Sequence, residues 1–318
     1  KNKYNLIVAA EHACAQFDHN DDYLHIAEID NGASQTLFRN LAREIASGGP
    51  VSDNYVLLLL SALEMVHRCP SKFVRRSVKQ FGADRLWDLL CRIVERYVRY
   101  PAYCQEHASV ILARVGKLFL HCAKADGTRN RMSGCQEIVR CMTVVLRSGH
   151  VEDAARVEAV AVLAELAYTK NCDGVVIHVE GLIDGLVGCR DSPVVAIREG
   201  SARALLNLST ALESRQILGW RDDTIAVLLS YLDGVESKNT RKCAIGALGN
   251  ISTCDDNKVR MCNYRDGRLA DTLIALVQPR RPRSTVGNLR KDALSVLQNL
   301  CSADTARLLC DRPHFLRT

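Results

Sequence analysis

Aromatic side chains are scarce in this chain. They make up 5% of 318 residues, against 47% apolar residues overall, so small and aliphatic groups must do the packing. That balance suits closely stacked helices better than a β-sandwich, whose strands draw on aromatic and β-branched residues. Metal-binding spacing is also missing. The 14 cysteines include no C-x-x-C pair and no Cys/His run at zinc-finger or zinc-ribbon separation, and nine histidines form no H-E-x-x-H, so no metal site is predicted. Most cysteines lie among apolar helical residues, as Cys91 does in WDLLCRIV and Cys141 in IVRCMTVVL. They read as reduced core thiols, which points to a reducing compartment, the cytoplasm or the nucleus.

Catalytic patterns are lacking as well. Val115-Gly116-Lys117-Leu118 has neither the leading glycine nor the Ser/Thr of a phosphate loop, and Gly200-Ser201-Ala202 is no nucleophile elbow. No catalytic residue and no cofactor follow from the sequence, and the expectation is a protein that is not an enzyme. The longest apolar stretches, such as YVLLLLSALEMV, are too short to span a bilayer. No secretory leader is visible, and the chain begins at Lys1 without a methionine. It reads as a piece of a longer protein.

Charge is uneven. The net charge of +6 is matched by residues 67 to 100 alone, where nine Lys and Arg face three carboxylates. This argues against nucleic-acid binding by the whole chain and for a local basic face. Arg92, Arg96 and Arg99 recur at i, i+4 and i+7 opposite Leu86, Leu89, Leu90, Ile93 and Tyr97. They form either a solvated helix face or a contact for an acidic peptide, a phosphate or an anionic membrane.

What the sequence has in abundance is internal repetition. VEAVAVLAELA (157–167), EGSARALLNLS (199–209), KCAIGALGNIS (242–252) and KDALSVLQNLC (291–301) align, each ending hydrophobic-polar-hydrophobic. The polar slot holds Glu165, Asn207, Asn250 and Asn299, at separations of 42, 43 and 49 residues. A period in the low forties is one unit of two or three helices. Between the aligned helices run GLIDGLVGCRDSP, TIAVLLSYLDGVES and LADTLIALVQPRRPRS, each amphipathic at helical spacing and then broken by Gly, Pro or Asp. The wider last spacing is attributed to an exposed loop at 279–288 inserted between helices. Upstream, weaker copies place Lys117 and Glu64 in the slot. The β-branched clusters VVIHV and MTVVL sit within helical periodicity, so no strand is expected.

SARALLNLST, AIGALGNIST and ALSVLQNLCS resemble the armadillo-repeat family, whose third helices end in a hydrophobic-x-Asn-hydrophobic-Ser/Thr pattern. The resemblance is good over 150–318 and looser over 1–149, where HEAT-like hairpins describe the chain equally well. It implies an all-α, right-handed solenoid, continuous across both parts, with third helices lining a concave groove that commonly takes extended peptides. It also implies that Asn207, Asn250 and Asn299 hold the ligand backbone. The position four residues before each Asn, Trp in members that read basic localisation signals, is Arg203, Gly246 and Ser295 here, which argues against an import receptor of that kind.

The slot face reads Gly200, Arg203, Asn207, then Cys243, Gly246, Asn250, then Asp292, Ser295, Asn299. Small residues beside each Asn are expected to leave room for a peptide backbone, with Arg203 and Asp292 setting charge preference. Each Asn has an alternative role as an internal cross-link between repeats. A second ladder, Arg156, Arg198, Arg241 and Arg290, stands nine residues before each slot. It is expected to pair with the upstream carboxylates Glu152, Asp191 and Glu236. The function read from all this is a non-catalytic scaffold holding a protein or peptide. The competing reading is a HEAT-type assembly subunit using its edges, its convex face or the basic 72–99 face.

Overall fold

The computed structural model describes residues 42–43, 56, 83–99, 107–124, 128–168, 176–232, 235–278 and 283–312. The slot at Glu64, the basic residues Lys72 to Lys79 and the PRRP stretch lie outside them. Every regular element among the described residues is helical. The chain divides into two compact units, Lys1–Glu165 and Leu166–Thr318.

In the first unit the helices are α1 (Ala83–Arg99), α2 (Ala108–Lys124), α3 (Arg129–Ser133), α4 (Gln136–Arg147) and α5 (Asp153–Leu166). Helix α1 is amphipathic: Leu86, Leu90, Ile93, Val94 and Tyr97 are buried, at the i, i+3/i+4, i+7 spacing that makes one apolar stripe. It packs on α2 and α4. Helix α5 is apolar on most sides, with Ala155, Ala159, Val160, Val162, Leu163 and Ala164 all buried, so it has to be enclosed by its neighbours. Its approach to α2 requires a glycine. A Cβ at Gly116 would stand 2.6 Å from Glu158 Cβ.

The second unit contains α6 (Leu182–Gly188), running into a 3-10 turn (Cys189–Asp191), then α7 (Val195–Leu208), α8 (Leu212–Gly219), α9 (Asp222–Ser230), α10 (Lys238–Ser252), α11 (Asp255–Asn263), α12 (Arg268–Val277), α13 (Arg283–Leu300) and α14 (Ala306–Cys310). Long α7 packs on α10, and α10 on α13. Each step between long helices is made by a short pair, α8 with α9 or α11 with α12. Starts are marked chemically: Asp222 and Asp223 open α9, Asp255 and Asp256 open α11, where carboxylates offset the positive end of the helix dipole. Ser237 caps α10, its Oγ accepting from the Thr240 N–H at 3.0 Å. Gly267, at φ +87°, makes the left-handed turn into α12.

Sequence periodicity marked one short helix per step and left the unit at two or three helices; the structure has two short helices per step, so the unit has three. The first of each pair, LESRQILG or DDNKVRMCN, is too short and too polar to show a stripe. Two expectations change. VVIHV does not continue a helix: Val176 to Glu180 are turns and a bend. The 279–288 insertion is not a loop throughout, because α13 already begins at Arg283. MTVVL does lie within α4.

Candidate functional site

The C-terminal ends of the long helices carry polar contacts between repeats. Helix α7 closes on Ser209, whose hydroxyl donates to Leu206 O at 2.7 Å, while its oxygen accepts from Asn250 Nδ2 of α10 at 3.0 Å. One step on, Ser252 donates to Gly249 O at 2.7 Å, and Asn299 Nδ2 of α13 points at both Ser252 Oγ and Gly249 O, each 3.2 Å away. The Ser of one unit thus receives the Asn of the next, and each Asn spends its amide N–H side on the array. Asn207 occupies the matching position in α7, half-buried like Asn250 and Asn299.

The same ends are closed from the following short helix. Arg215 in α8 donates to Ser209 O at 2.9 Å and Thr210 O at 2.6 Å. Asn257 in α11 donates to Ile251 O at 3.1 Å and reaches Arg215 O at 2.9 Å. In the first unit Thr128 donates to Cys122 O and Arg129 to Ala123 O. Cys122, Ala123 and Ile251 lie in the last turns of their long helices, and Ser209 and Thr210 just past one, where carbonyls lose the i+4 partner of the helix ladder, so each first helix is fixed by capping the long helix before it. Asn257 is fully buried, and a Cβ at Gly219 would collide with its side-chain amide. None of these capping residues was singled out from sequence. The recurring signal, a polar side chain six residues after the carbonyl it caps, is present at Thr128, Arg129, Arg215 and Asn257.

The rest of the predicted face is mixed. Arg203 is exposed, Asp292 half-buried and Ser295 exposed. The Cys243 thiol is pushed up by burial and by the nearby Glu199 carboxylate, with Arg203 and Lys242 pulling the other way. Both charge signs therefore meet around it. Glu199 is held by Ser237 Oγ at 2.9 Å and by Asn239 Nδ2 at 3.2 Å. Room beside the slot is smaller than glycine suggested. The space that a side chain at Gly246 would take is occupied by Leu206, its Cδ1 3.0 Å from the would-be Cβ.

The arginine ladder holds at two rungs and with other partners than expected. Arg156 pairs with Asp153 at 3.0 Å and donates to Leu146 O. Arg198 pairs across the repeat with Glu236 at 2.7 Å and donates to Ser192 O. Its carboxylate comes from the following unit and not from Asp191. Arg241 Nε is buried without a hydrogen-bond partner among the described residues, and Arg290 is exposed. On α1, Arg92 is exposed and bridges Asp88 at 3.0 Å, i to i+4. Arg96 is half-buried, and the Arg99 side chain lies outside the described residues. Among the described residues no cluster of His, Cys, Asp and Glu is placed to hold a metal ion, and no helix is long and apolar enough to cross a membrane.

No protein-family model and no curated protein sequence matches the chain. Solved structures do. A designed armadillo repeat protein aligns at TM-score 0.60 and 16% identity, covering 84% of this chain and 99% of that one. Computationally designed armadillo repeat proteins for modular peptide recognition align at 0.61 and 14%, covering 82% and 99%. The fold is an armadillo-like all-α solenoid. A third designed armadillo repeat protein, in complex with the peptide (KR)4, aligns at 0.60 and 14%, covering 83% and 99%. At these identities the likeness is one of fold, and the armadillo-like repeats of this chain carry their own side chains on the long-helix face.

Proposed function

We propose that this armadillo-like chain is a non-catalytic scaffold that binds an extended peptide segment of a partner protein along α7, α10 and α13. The observation that carries the reading is the Asn series. Asn250 and Asn299 are each oriented by a hydrogen bond from Nδ2 into the preceding repeat, yet remain half-exposed. With Nδ2 engaged, the side-chain carbonyl is the group left to accept a peptide N–H, so recognition runs mainly through Oδ1. Arg203 at one end and Asp292 at the other set the charge preference. The (KR)4 peptide held by the similar designed protein suggests one probe: here it meets Glu199 and Asp292 favourably and Arg203 unfavourably.

The test is to screen immobilised peptide libraries, with (KR)4 and an alternating Glu/Asp peptide included. Any ligand found is then titrated into the Asn207→Ala/Asn250→Ala/Asn299→Ala variant. Each lost ligand bond is expected to cost about 0.5–1.5 kcal/mol of binding, with the fold retained. Unchanged binding by the folded variant would move the ligand off this face. Loss of folding would make the Asn residues cross-links alone.

A further inference from the structure

Away from that face, the second unit has a basic cavity that the peptide reading does not use. It is open to solvent, has a volume of about 110 Å3, and is lined by Arg190, Arg265 and Arg268 with Ser230, Tyr264 and Thr272 among others. A single water needs only ~10–15 Å3 of such space, so there is room for one tetrahedral oxyanion. The wall is cationic and short of partners. Arg268 makes no ion pair or side-chain hydrogen bond among the described residues. Arg265 lies over the Tyr264 ring at 5.5 Å, and among the described residues Arg190 meets only Asp191, at 4.0 Å, a carboxylate that is itself 92% exposed.

Tyr264 is the second observation. It is 6% exposed, and its hydroxyl is buried without a hydrogen-bond partner among the described residues, a donor left over at a cost. The Ser230 and Thr272 hydroxyls already donate to Val227 O and Arg268 O, so the donors open to a ligand are three guanidinium groups, with the Tyr264 phenol buried beside them. The C-terminus of α9 also borders the cavity, but a helix end carries roughly half a unit of negative charge, against three full positive ones.

We propose that this cavity binds a phosphate monoester dianion, presented as a phosphorylated side chain of a partner protein. Guanidinium forks match phosphate oxygens two at a time, and a phosphorylated residue brings close to two negative charges. The choice of a protein as the carrier rests on the scaffold reading above; the oxyanion site itself does not.

The experiment is calorimetric titration of the full chain with inorganic phosphate, O-phosphoserine and O-phosphotyrosine at constant ionic strength, followed by a phosphopeptide library and by phosphatidylcholine vesicles doped with a phosphoinositide. Saturable binding is expected for the phosphate compounds and tighter binding for a subset of phosphopeptides. Arg265→Gln and Arg268→Gln should each weaken O-phosphoserine by about tenfold or more, and Tyr264→Phe by a few-fold with the ring retained. The Asn207/Asn250/Asn299 triple Ala variant should leave phosphate affinity unchanged, which separates this site from the peptide face. Heat signals reproduced by KCl, or affinity unchanged in Tyr264→Phe and in whichever Arg variants fold, would overturn the site. Binding to the vesicles without any phosphopeptide would overturn the protein as carrier.

Discussion

In the second unit, the polar slot near the end of a long helix is an asparagine that reaches the serine closing the helix before it: Asn250 to Ser209, Asn299 to Ser252. In the first unit the slot at the end of α5 is Glu165, and it reaches Arg129 at 3.3 Å, with side chains 30% and 18% exposed for Arg129 and Glu165. Arg129 also caps α2 through Ala123 O. The two arrangements do one job, tying a long helix to the repeat before it, with different chemistry. What decides is the receiver. Helix α2 offers Phe119 two residues past Lys117 where α7 and α10 offer serine, so an amide in the first unit has no hydroxyl to meet, and a carboxylate takes the arginine instead.

The largest effects should come from the two glycines that let helices approach. At Gly116 a Cβ meets Glu158 Cβ at 2.6 Å, an atom fixed to its backbone. At Gly219 it meets the amide end of Asn257, which is movable but buried and hydrogen-bonded. Both Gly→Ala changes are expected to destabilise by about 1–3 kcal/mol. They should separate in double variants, measured by urea unfolding: Asn257→Ala, costly by itself, relieves much of the Gly219→Ala strain, whereas Glu158→Ala leaves Gly116→Ala unrelieved because its own Cβ remains. Relief at both positions, or at neither, would show that the clashing atoms have been misidentified.

Next in size are the amide-to-serine ties. Asn250→Ala and Ser209→Ala are each expected to cost about 0.5–1.5 kcal/mol, partly offset by the better helix propensity of alanine. The two should be non-additive in a double-mutant cycle, since they share one bond. Additive losses would mean that Asn250 stabilises through some other contact.

How much of this could be read beforehand divides along the same line. The long helices and their slot residues were legible, because they repeat at a near-constant period and their apolar positions fall at helical spacing. The short first helices were not. LESRQILG and DDNKVRMCN bury only Ser214, Leu218, Gly219 and Asn257, Met261, Cys262 respectively, too few apolar positions to make a stripe. Their place is fixed by capping bonds to the preceding helix, a tertiary interaction that leaves little periodic trace. The same limit explains the arginine ladder: recurrence marked Arg156 and Arg198, but the carboxylate facing Arg198 arrives from 38 residues away. The helical start at Arg283 was masked by two prolines close before it, which read as loop although Pro is well tolerated just ahead of a helix. The basic cavity had no linear signature at all, since Arg190, Ser230 and Arg268 come from three successive steps.

A smaller effect sharpens the slot comparison. Glu165→Asn installs the second unit's residue in the first unit, where no serine receives it. The change should lose the Arg129 pair, worth about 1 kcal/mol or less at this exposure, and gain nothing, so that its melting temperature falls with that of Glu165→Ala. In an Arg129→Ala background both substitutions should become nearly neutral. A Glu165→Asn variant as stable as the parent would mean that the slot accepts either residue whatever stands opposite.

The smallest effect concerns two arginines, one in each unit, that each hold two carboxylates. Arg140 sits against Glu95 at 2.6 Å and Glu137 at 2.5 Å, and Arg221 against Asp184 and Asp223, both at 2.6 Å. Carboxylate hydrogen bonds raise the pKa of both guanidinium groups, so neither arginine titrates in any ordinary range. The response to acid must come from the acidic partners. In the second unit the Arg221 hydrogen bonds hold the Asp223 carboxyl below its ordinary value, helped by the Thr224 N–H. A depressed carboxyl stabilises the folded chain above the unfolded-state pKa of ~3.9, and that stability is lost as the pH falls through the folded-state value. Asp223 is 44% exposed, so solvent screening keeps its share to a few tenths of a kcal/mol, near the low end for surface pairs. Carboxyl-resolved NMR titration is the direct readout: Asp223 should titrate below an unpaired aspartate, and Arg221→Gln should move it upward. A titration of Asp223 at the ordinary value, unmoved by Arg221→Gln, would show the pair to be open in solution.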